Sequence, residues 1–547
     1  MLPPSSARRV LLLVALVSLC VPYACAAPSL VDAYRASHRY AQTQEVSMAP
    51  MLHEDDGRDV VPHSYMVMLK PGVTASSFLQ HRAAVSNVVM AAQNAAISAS
   101  SADEQAMAQA MGFRHIFDKD TLQGYAGTFT PDVLAFIRAQ PEVEYVEPDS
   151  VVQITALAQD DRFVRTMDEE SEARRLPWNH PEQHLTEVGA PWGLARISHR
   201  DSLHLSTFNK YVYEAVGGEG VTAYIIDTGI HVDHEDFQGR ARWGKTMPPN
   251  EKDVDAHGHG THVAGTIGSL TYGVAKNTEL VAVKVLGASG QGTMADVTAG
   301  VLWAITDAQR LTEEMLAHPT SPKAKKHRGF VANMSLGGGK SPTLDRAVAA
   351  GIAAGLHFGV AAGNENQDAC NVSPAGTKHA VTVAASTIAD ERAYFSNKGS
   401  CVDIFGPGLN VLSTWKEGPR SVNTMSGTSM ATPHIVGLMS YLLSIYGTDD
   451  FHLMKDVRPS RLGPFAVQDT SSWWTALWAV TQHWWPWWLT TRPALLDDTV
   501  EVMAVESVLH PVDLKKALHR FATPGALAAL DPDTVNSLAF NNATQTL

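Results

Sequence analysis

From Gly220 onward, short apolar runs alternate with stretches of helical period, and that alternation limits the fold more than any other feature of the chain. The runs lie at 221–226, 280–286, 330–336, 356–362 and 380–384, with helix candidates at 294–310 and 343–355. Strands that are apolar along their whole length are buried on both faces, and a helix between successive strands is the crossover of a parallel sheet. The expected fold class is therefore α/β, a parallel sheet with helices on both faces. In such sheets reactive groups gather at the carboxyl ends of the strands.

This pattern fills only the later part of a 547-residue chain. With 45% apolar and 18% charged residues, the composition supports a large core and excludes wholesale disorder. A formal charge of −14 argues against a nucleic-acid partner. At the start, Arg8 and Arg9 precede an apolar run at 10–21 and the small residues Ala24 to Ala27. Basic, apolar, small is the order of a secretory signal peptide, placed at 1–26, and the run is too short for the roughly 20 residues that span a bilayer. Residues 27–62 read as a linker. Residues 63–153 read as a small α+β domain: a strand from Ser64, helix over 75–112, a strand at 124–130, a helix capped by Thr130 before Pro131, and an alternating strand at 143–147. The stretch 154–190 has eight acidic residues against four basic ones from Thr155 and little periodicity, and reads as an exposed, cleavable connector.

Four motifs fall at strand ends or helix starts of the large domain, 191–547. They are Asp227-Thr228-Gly229, the segment from His257 through His259 and His262 to Gly265, Ala361 to Asn364, and Met425 to His434 with Ser429 at its centre. Taken singly, each has a structural reading: a turn at Asp227, a helix N-cap at Ser429, turn chemistry at Asn364. The spacing His257-x-His259-x-x-His262 also suits zinc, although no Cys or carboxylate arrangement accompanies it.

Taken together, IIDTG at 225–229, HGTHVAGT at 259–266, VKVLG at 283–287, NMSLGGG at 333–339, AAGN at 361–364, SPA at 373–375 and GTSMATPH at 427–434 make the chain resemble the subtilases, the subtilisin-like serine proteases. It is most similar to the proteinase K branch and its fungal vacuolar members. The resemblance covers about 190–447 and resumes near His510. More weakly, 63–153 is similar to the family's inhibitory propeptide.

That resemblance implies a subtilisin-like fold and a serine endopeptidase made as a preproprotein. The assigned roles are Ser429 as nucleophile, His262 as general base and then acid, Asp227 as the group orienting His262, and Asn364 as oxyanion donor with the backbone N–H of Ser429. His259 is then structural and His257 a solvated loop residue. Family positions place Ser335, Leu336, Gly337 and Gly338 along one substrate edge and Gly290, Gln291 and Gly292 along the other. Met294 and Val297 lie deeper, and the substrate adds as a strand. Uncharged pockets imply broad specificity with apolar preference. Cys370 and Cys401 pair as a disulfide in the family members that carry them, with two buried free thiols as the alternative. Asp403 with the carbonyls of Lys378 and Ala380 matches a structural calcium site; no cofactor is required for catalysis.

The resemblance breaks over about 449–508, an insertion holding seven of the twelve Trp residues, from Trp473 to Trp488. Trp favours membrane interfaces, so membrane-surface or glycan contact is one reading and a hydrophobic loop folded over the domain, or an error in the gene model, the blander ones. Sequons stand at Asn333, Asn371 and Asn542, and Asn333 falls in a core strand. The expected partners are protein and peptide substrates and the chain's own propeptide, acting as an intramolecular inhibitor on a monomer. The expected compartment is the secretory pathway, ending outside the cell or in the vacuolar lumen. The rival class is a catalytically inactive relative that binds through its Trp-rich segment.

Overall fold

The computed structural model describes residues 48–53, 59–97, 102–119, 122–156, 165–166, 184–446, 508–528 and 530–543. The expected signal peptide, most of the linker and connector, and Trp473 to Trp488 with the rest of the insertion up to 507 lie outside the described residues.

The chain divides into two compact units. One comprises Met1–Pro50, Thr74–Gly112 and Phe129–Val143. Its helical stretch after residue 75 is two helices, Ala75–Ile97 and Ala102–Ala110, rather than one. A third helix, Pro131–Arg138, starts on a first-turn proline as expected, but Thr130 supplies no side-chain cap. Its backbone carbonyl instead accepts from Leu134 N. Between these elements, buried His81 meets Glu142, Nδ1 to Oε1, at 2.6 Å.

The other unit comprises Met51–Val73, Phe113–Thr128 and Glu144–Leu547. Its main sheet has nine strands in the spatial order Thr523–Pro524, Ser537–Leu538, Ile404–Pro407, Val381–Ser386, His357–Ala361, Gly329–Met334, Val221–Asp227, Glu279–Lys284 and Ala241–Thr246. All neighbours are parallel except the first pair. Each of the five apolar runs of the sequence is one of these strands. The period of two then sorts their side chains. Ala223, Ile225, Leu280 and Ala282 join a core with helices His259–Gly268, Thr428–Ile445 and Pro511–Phe521. Tyr224, Ile226, Val281 and Val283 join a second core with helices Met294–Ala317 and Pro342–Ala353. The sheet is thus covered on both faces, the expected α/β arrangement.

The first strand in sequence, Val221–Asp227, sits between Glu279–Lys284 and Gly329–Met334, and the chain moves off in opposite directions on its two sides. That is the topological switch point, where the carboxyl ends of neighbouring strands open a crevice. A second sheet of seven strands includes Val60–Leu69, Leu122–Thr128 and Val143–Ile154 from the early part of the chain and Gln291–Thr293, Leu336–Gly339 and Val372–Ser373 from the later part. Among the described residues no helix is long and apolar enough to cross a membrane.

Burial holds the His81 imidazole below its ordinary 6.5 and outweighs Glu142, which pulls the other way. A histidine kept neutral by folding leaves the unfolded chain as the better proton binder once the pH falls below 6.5, so stability is lost on acidification. Amide protection over 74–112 and 129–143, measured by hydrogen exchange and corrected for intrinsic rates, should fall between pH 7 and pH 5 in the wild-type sequence. It should fall much less in His81→Phe; equal pH responses would refute the assignment.

Candidate active site

Asp227 ends its strand at the switch point and is fully buried. Its Oδ1 accepts from Thr228 N and from His259 Nδ1, both at 2.7 Å. The partner of Asp227 is therefore His259, and the expected role of His262 is corrected. Helix His259–Gly268 starts immediately after Gly258, which is left-handed at φ 103°. That start puts His259 over the strand end and His262 one turn further in. There the His262 Nε2–H donates to the carbonyls of Val411 and Asn423, at 3.0 and 3.1 Å. Carbonyls only accept, so this nitrogen carries a proton and cannot serve as a base. Burial also pushes the His262 pKa down to about 3. The Nε2 of His259, by contrast, is buried with no hydrogen-bond partner among the described residues. His257 is half-buried rather than solvated, and its Nδ1 accepts from His259 N at 3.3 Å. The three histidines point to different partners, and no metal-binding group of three or more His, Cys, Asp or Glu occurs among the described residues.

Asp255 organises this corner and escaped the sequence reading. Its Oδ1 accepts from Thr228 Oγ1, His257 N and Gly258 N, and its Oδ2 from Thr261 N and Thr261 Oγ1. One buried carboxylate thus ties the turn after Asp227 to the start of the histidine helix. The available signal was a carboxylate two residues before a His-Gly pair. Gly260 is required by contact: a Cβ there would lie 2.1 Å from Gly229 O. Buried Lys284 braces the same turn, donating to Thr228 O at 2.9 Å and Leu286 O at 2.8 Å.

Across the crevice, helix Thr428–Ile445 begins one residue before Ser429. Pro433 lies inside it and has no N–H to offer Ser429 O four residues earlier. Ser335 Oγ donates to that carbonyl instead, at 2.9 Å. Asn364 follows strand His357–Ala361, and its Oδ1 accepts from Thr428 N and Thr428 Oγ1. These two bonds orient the amide so that Nδ2 points outward.

The strand Val143–Ile154, longer than the expected 143–147, fills the cleft. It is antiparallel to Gln291–Thr293 on one side, with Gln153 opposite Gln291 and Val152 opposite Gly292. It is antiparallel to Leu336–Gly339 on the other, with Ile154 opposite Leu336 and Gln153 opposite Gly337. Ile154 N donates to Gly290 O at 3.1 Å and Thr155 N to Ser335 O at 3.3 Å. The carbonyl oxygen of Thr155 accepts from Ser429 N at 3.1 Å and from Asn364 Nδ2 at 2.5 Å. Ser429 Oγ donates to Ser335 O at 2.9 Å and lies 2.7 Å from Thr155 Oγ1. Every expected edge residue thus meets one extended segment. Val152 is buried in one apolar cluster with Met294, Val297 and Leu336. A Cβ on Gly337 would touch the Thr155 methyl at 3.6 Å, so glycine there widens the pocket beside Thr155.

The same strand caps two helices. Glu147 Oε2 accepts from Thr343 N and Thr343 Oγ1 at the start of Pro342–Ala353. Asp149 Oδ1 accepts from Ala295 N at the start of Met294–Ala317, while Ser64 donates to its Oδ2. A carboxylate at a helix start satisfies an orphan N–H and meets the positive end of the dipole. Burial raises the Asp149 pKa against these bonds.

Cys370 and Cys401 form the expected disulfide, Sγ to Sγ 2.06 Å. The expected calcium site is corrected. Lys515 Nζ stands 2.7 Å from Asp403 Oδ2 and donates to Ala380 O at 2.6 Å, so an ammonium group fills the place assigned to the metal. A divalent ion does not fit a donor set already closed around a cation. Of the sequons, Asn333 is buried, Asn371 is exposed and Asn542 is half-buried.

Residues 218–457 match the Subtilase family and residues 64–155 match Peptidase inhibitor I9. Alkaline protease 2 of Aspergillus fumigatus is 44% identical over 499 residues, covering 90% of this chain and 83% of the relative. Subtilisin-like protease 8 of Trichophyton verrucosum is 46% identical over 441 residues, covering 80% and 81%. Subtilisin-like serine protease Pen c 2 of Penicillium citrinum is 43% identical over 499 residues, covering 90% of each chain.

Losing a helix cap costs about 1 kcal/mol. Glu147→Ala and Asp149→Ala, each in a Ser429→Ala full-length chain, should therefore lower Tm by about 2–4 °C. Calorimetry checks this; an unchanged Tm for both would show that the caps contribute nothing.

Proposed function

The chain belongs to the subtilase family, and on that premise we propose that Asp227, His259 and Ser429 hydrolyse peptide bonds as a triad, with Asn364 and the backbone N–H of Ser429 as the oxyanion hole. The carrying observation is the Thr155 carbonyl oxygen, which already accepts from both oxyanion donors.

Ser429 Oγ attacks the carbonyl carbon while His259 Nε2 takes its proton. Asp227 holds His259 through Nδ1–H and stabilises the imidazolium. The C=O electrons move onto oxygen, where the two donors meet the charge. His259 then returns the proton to the leaving amine, the C–N bond breaks and an acyl-enzyme remains. Water, deprotonated by His259 Nε2, attacks the ester carbonyl, the C–Oγ bond breaks to release the acid product, and Ser429 Oγ takes the proton back from His259. The partnerless Nε2 of His259 suits it to accept that first proton. Ser429 Oγ, bonded here to Ser335 O, must first turn toward it. Catalysis in this family needs no cofactor.

The first substrate is the chain itself. The I9 region ends in the segment that occupies the cleft, so it plugs the site as an intramolecular inhibitor. The bond cut is Thr155–Ala156, at the amino-terminal edge of the 154–190 connector. Later substrates add as strands along 335–338 and 290–292. Uncharged walls around Thr155 and Val152 favour broad specificity with small or apolar residues there. The basic, apolar, small order before residue 27 and the disulfide support maturation in the secretory pathway, with delivery outside the cell or to the vacuolar lumen. The rival expectation of an inactive binding protein is unsupported, since every position the chemistry needs is filled.

Mass mapping of the mature enzyme should find Ala156 at the new N-terminus. Ser429→Ala and His259→Ala should abolish release of the 64–155 region and cut turnover by on the order of 10⁶-fold, the scale for removing one member of such a triad. His262→Asn should retain fluorophosphonate labelling at Ser429. Full activity in His259→Ala, or labelling lost only in His262→Asn, would overturn the triad; a first cut elsewhere would overturn the scissile bond alone.

A further inference from the structure

We infer that the ammonium group of Lys515 is the resident cation of the carboxylate and carbonyl site at Asp403, and that the site takes no divalent metal while Lys515 occupies it.

The site lies between two neighbouring parallel strands, Val381–Ser386 and Ile404–Pro407. Asp403 precedes the second strand, and its Oδ2 accepts from Thr382 N at 2.8 Å while lying 2.7 Å from Lys515 Nζ. The same ammonium donates to Ala380 O at 2.6 Å. One carboxylate and one carbonyl thus share a single positive charge. His519, one turn along the same helix, brings Nε2 to 3.8 Å from Asp403 Oδ1. Calcium takes six to eight oxygens and leans on carboxylates to offset its charge. Only one carboxylate is supplied here, and the cation already present would repel a second at contact distance.

The lysine is delivered by packing, not chance. Helix Pro511–Phe521 buries Pro511, Leu514, Ala517, Leu518 and Phe521, and its first turn is capped by His510. Leu514, Ala517, Leu518 and Phe521 belong to the core that also holds helix Thr428–Ile445. Lys515 follows Leu514 directly, so seating the apolar face sets the lysine toward the strand ends. Side-chain exposure of 21% for Lys515 and 17% for Asp403 leaves the pair mostly screened from water. The consequence is that a covalently tethered charge, arriving after the insertion in chain order, performs the tie that a bound metal would otherwise make. This inference is independent of the catalytic assignment.

The test uses the full-length Ser429→Ala chain, with Tm read in excess EGTA and in millimolar calcium. In the parent, Asp403→Asn should leave the calcium response unchanged. Lys515→Met should lower Tm in EGTA by about 2–4 °C. Calcium should then restore part of that loss, and Asp403→Asn in the Lys515→Met background should remove the restoration. A calcium response of the parent that Asp403→Asn abolishes would overturn the inference, because metal would be binding beside the lysine. Parental Tm and calcium response in Lys515→Met would overturn it too, and so would a loss that calcium fails to restore. Should Lys515→Met not fold, calorimetric titration of calcium into the parent and its Asp403→Asn form decides the matter: equal binding supports the inference, and binding lost with Asp403 overturns it.

Discussion

A strand seated in a cleft has two rows of backbone groups to satisfy, and Val143–Ile154 satisfies both. Gln291–Thr293 pairs with one edge and Leu336–Gly339 with the other. This double pairing fixes the register, and a slip of one residue would turn every side chain to the wrong face. With the register set, Val152 enters the apolar cluster around Met294, and the Thr155 carbonyl falls between Ser429 N and Asn364 Nδ2. Two carboxylates on the same strand, Glu147 and Asp149, close two helix starts beside the cleft. The seating of this strand in the cleft and the placement of the Thr155 carbonyl therefore come from one set of hydrogen bonds.

The cleft itself depends on the sheet. Val221–Asp227 is the strand from which the chain departs in both directions, so a crevice opens beside its carboxyl end. Asp227 occupies that end, fully buried, and a buried carboxylate has to be hydrogen-bonded. Thr228 N and His259 Nδ1 provide the bonds, Asp255 holds the turn and the helix start together, and Gly260 lets the two segments approach. Opposite, the missing N–H of Pro433 and the hydroxyl of Ser335 join strand and helix at the Ser429 carbonyl. The groups proposed to react are thus held by backbone N–H groups and short polar side chains.

Much of this was legible in advance. The five apolar runs are wholly buried strands, and their short length and alternation with stretches of helical period mark them as such. Ala241–Thr246 was missed because it is a six-residue edge strand carrying Arg242 and Lys245, and its core-facing Ala241 and Trp243 are only half-buried, too few to make an apolar run. The choice between His259 and His262 was missed for a different reason. Both stand in one motif three residues apart. Only the starting point of the helix, set by the left-handed Gly258, decides which imidazole reaches Asp227 and which turns to the carbonyls of Val411 and Asn423. The calcium expectation failed because Lys515 is remote in sequence from Asp403 and is brought there by a helix the motif does not contain.

The α/β class, the order of the motifs and the family are readable from the chain alone. Those follow from periodicity and local pattern, which are properties of neighbouring residues. Which histidine pairs with Asp227, which carbonyl oxygen lies between Ser429 N and Asn364 Nδ2, and which side chain meets Asp403 are set by the tertiary contacts. Each of these is a contact between segments far apart in the chain. Such contacts are set by register, helix start and packing, and no local spacing encodes them.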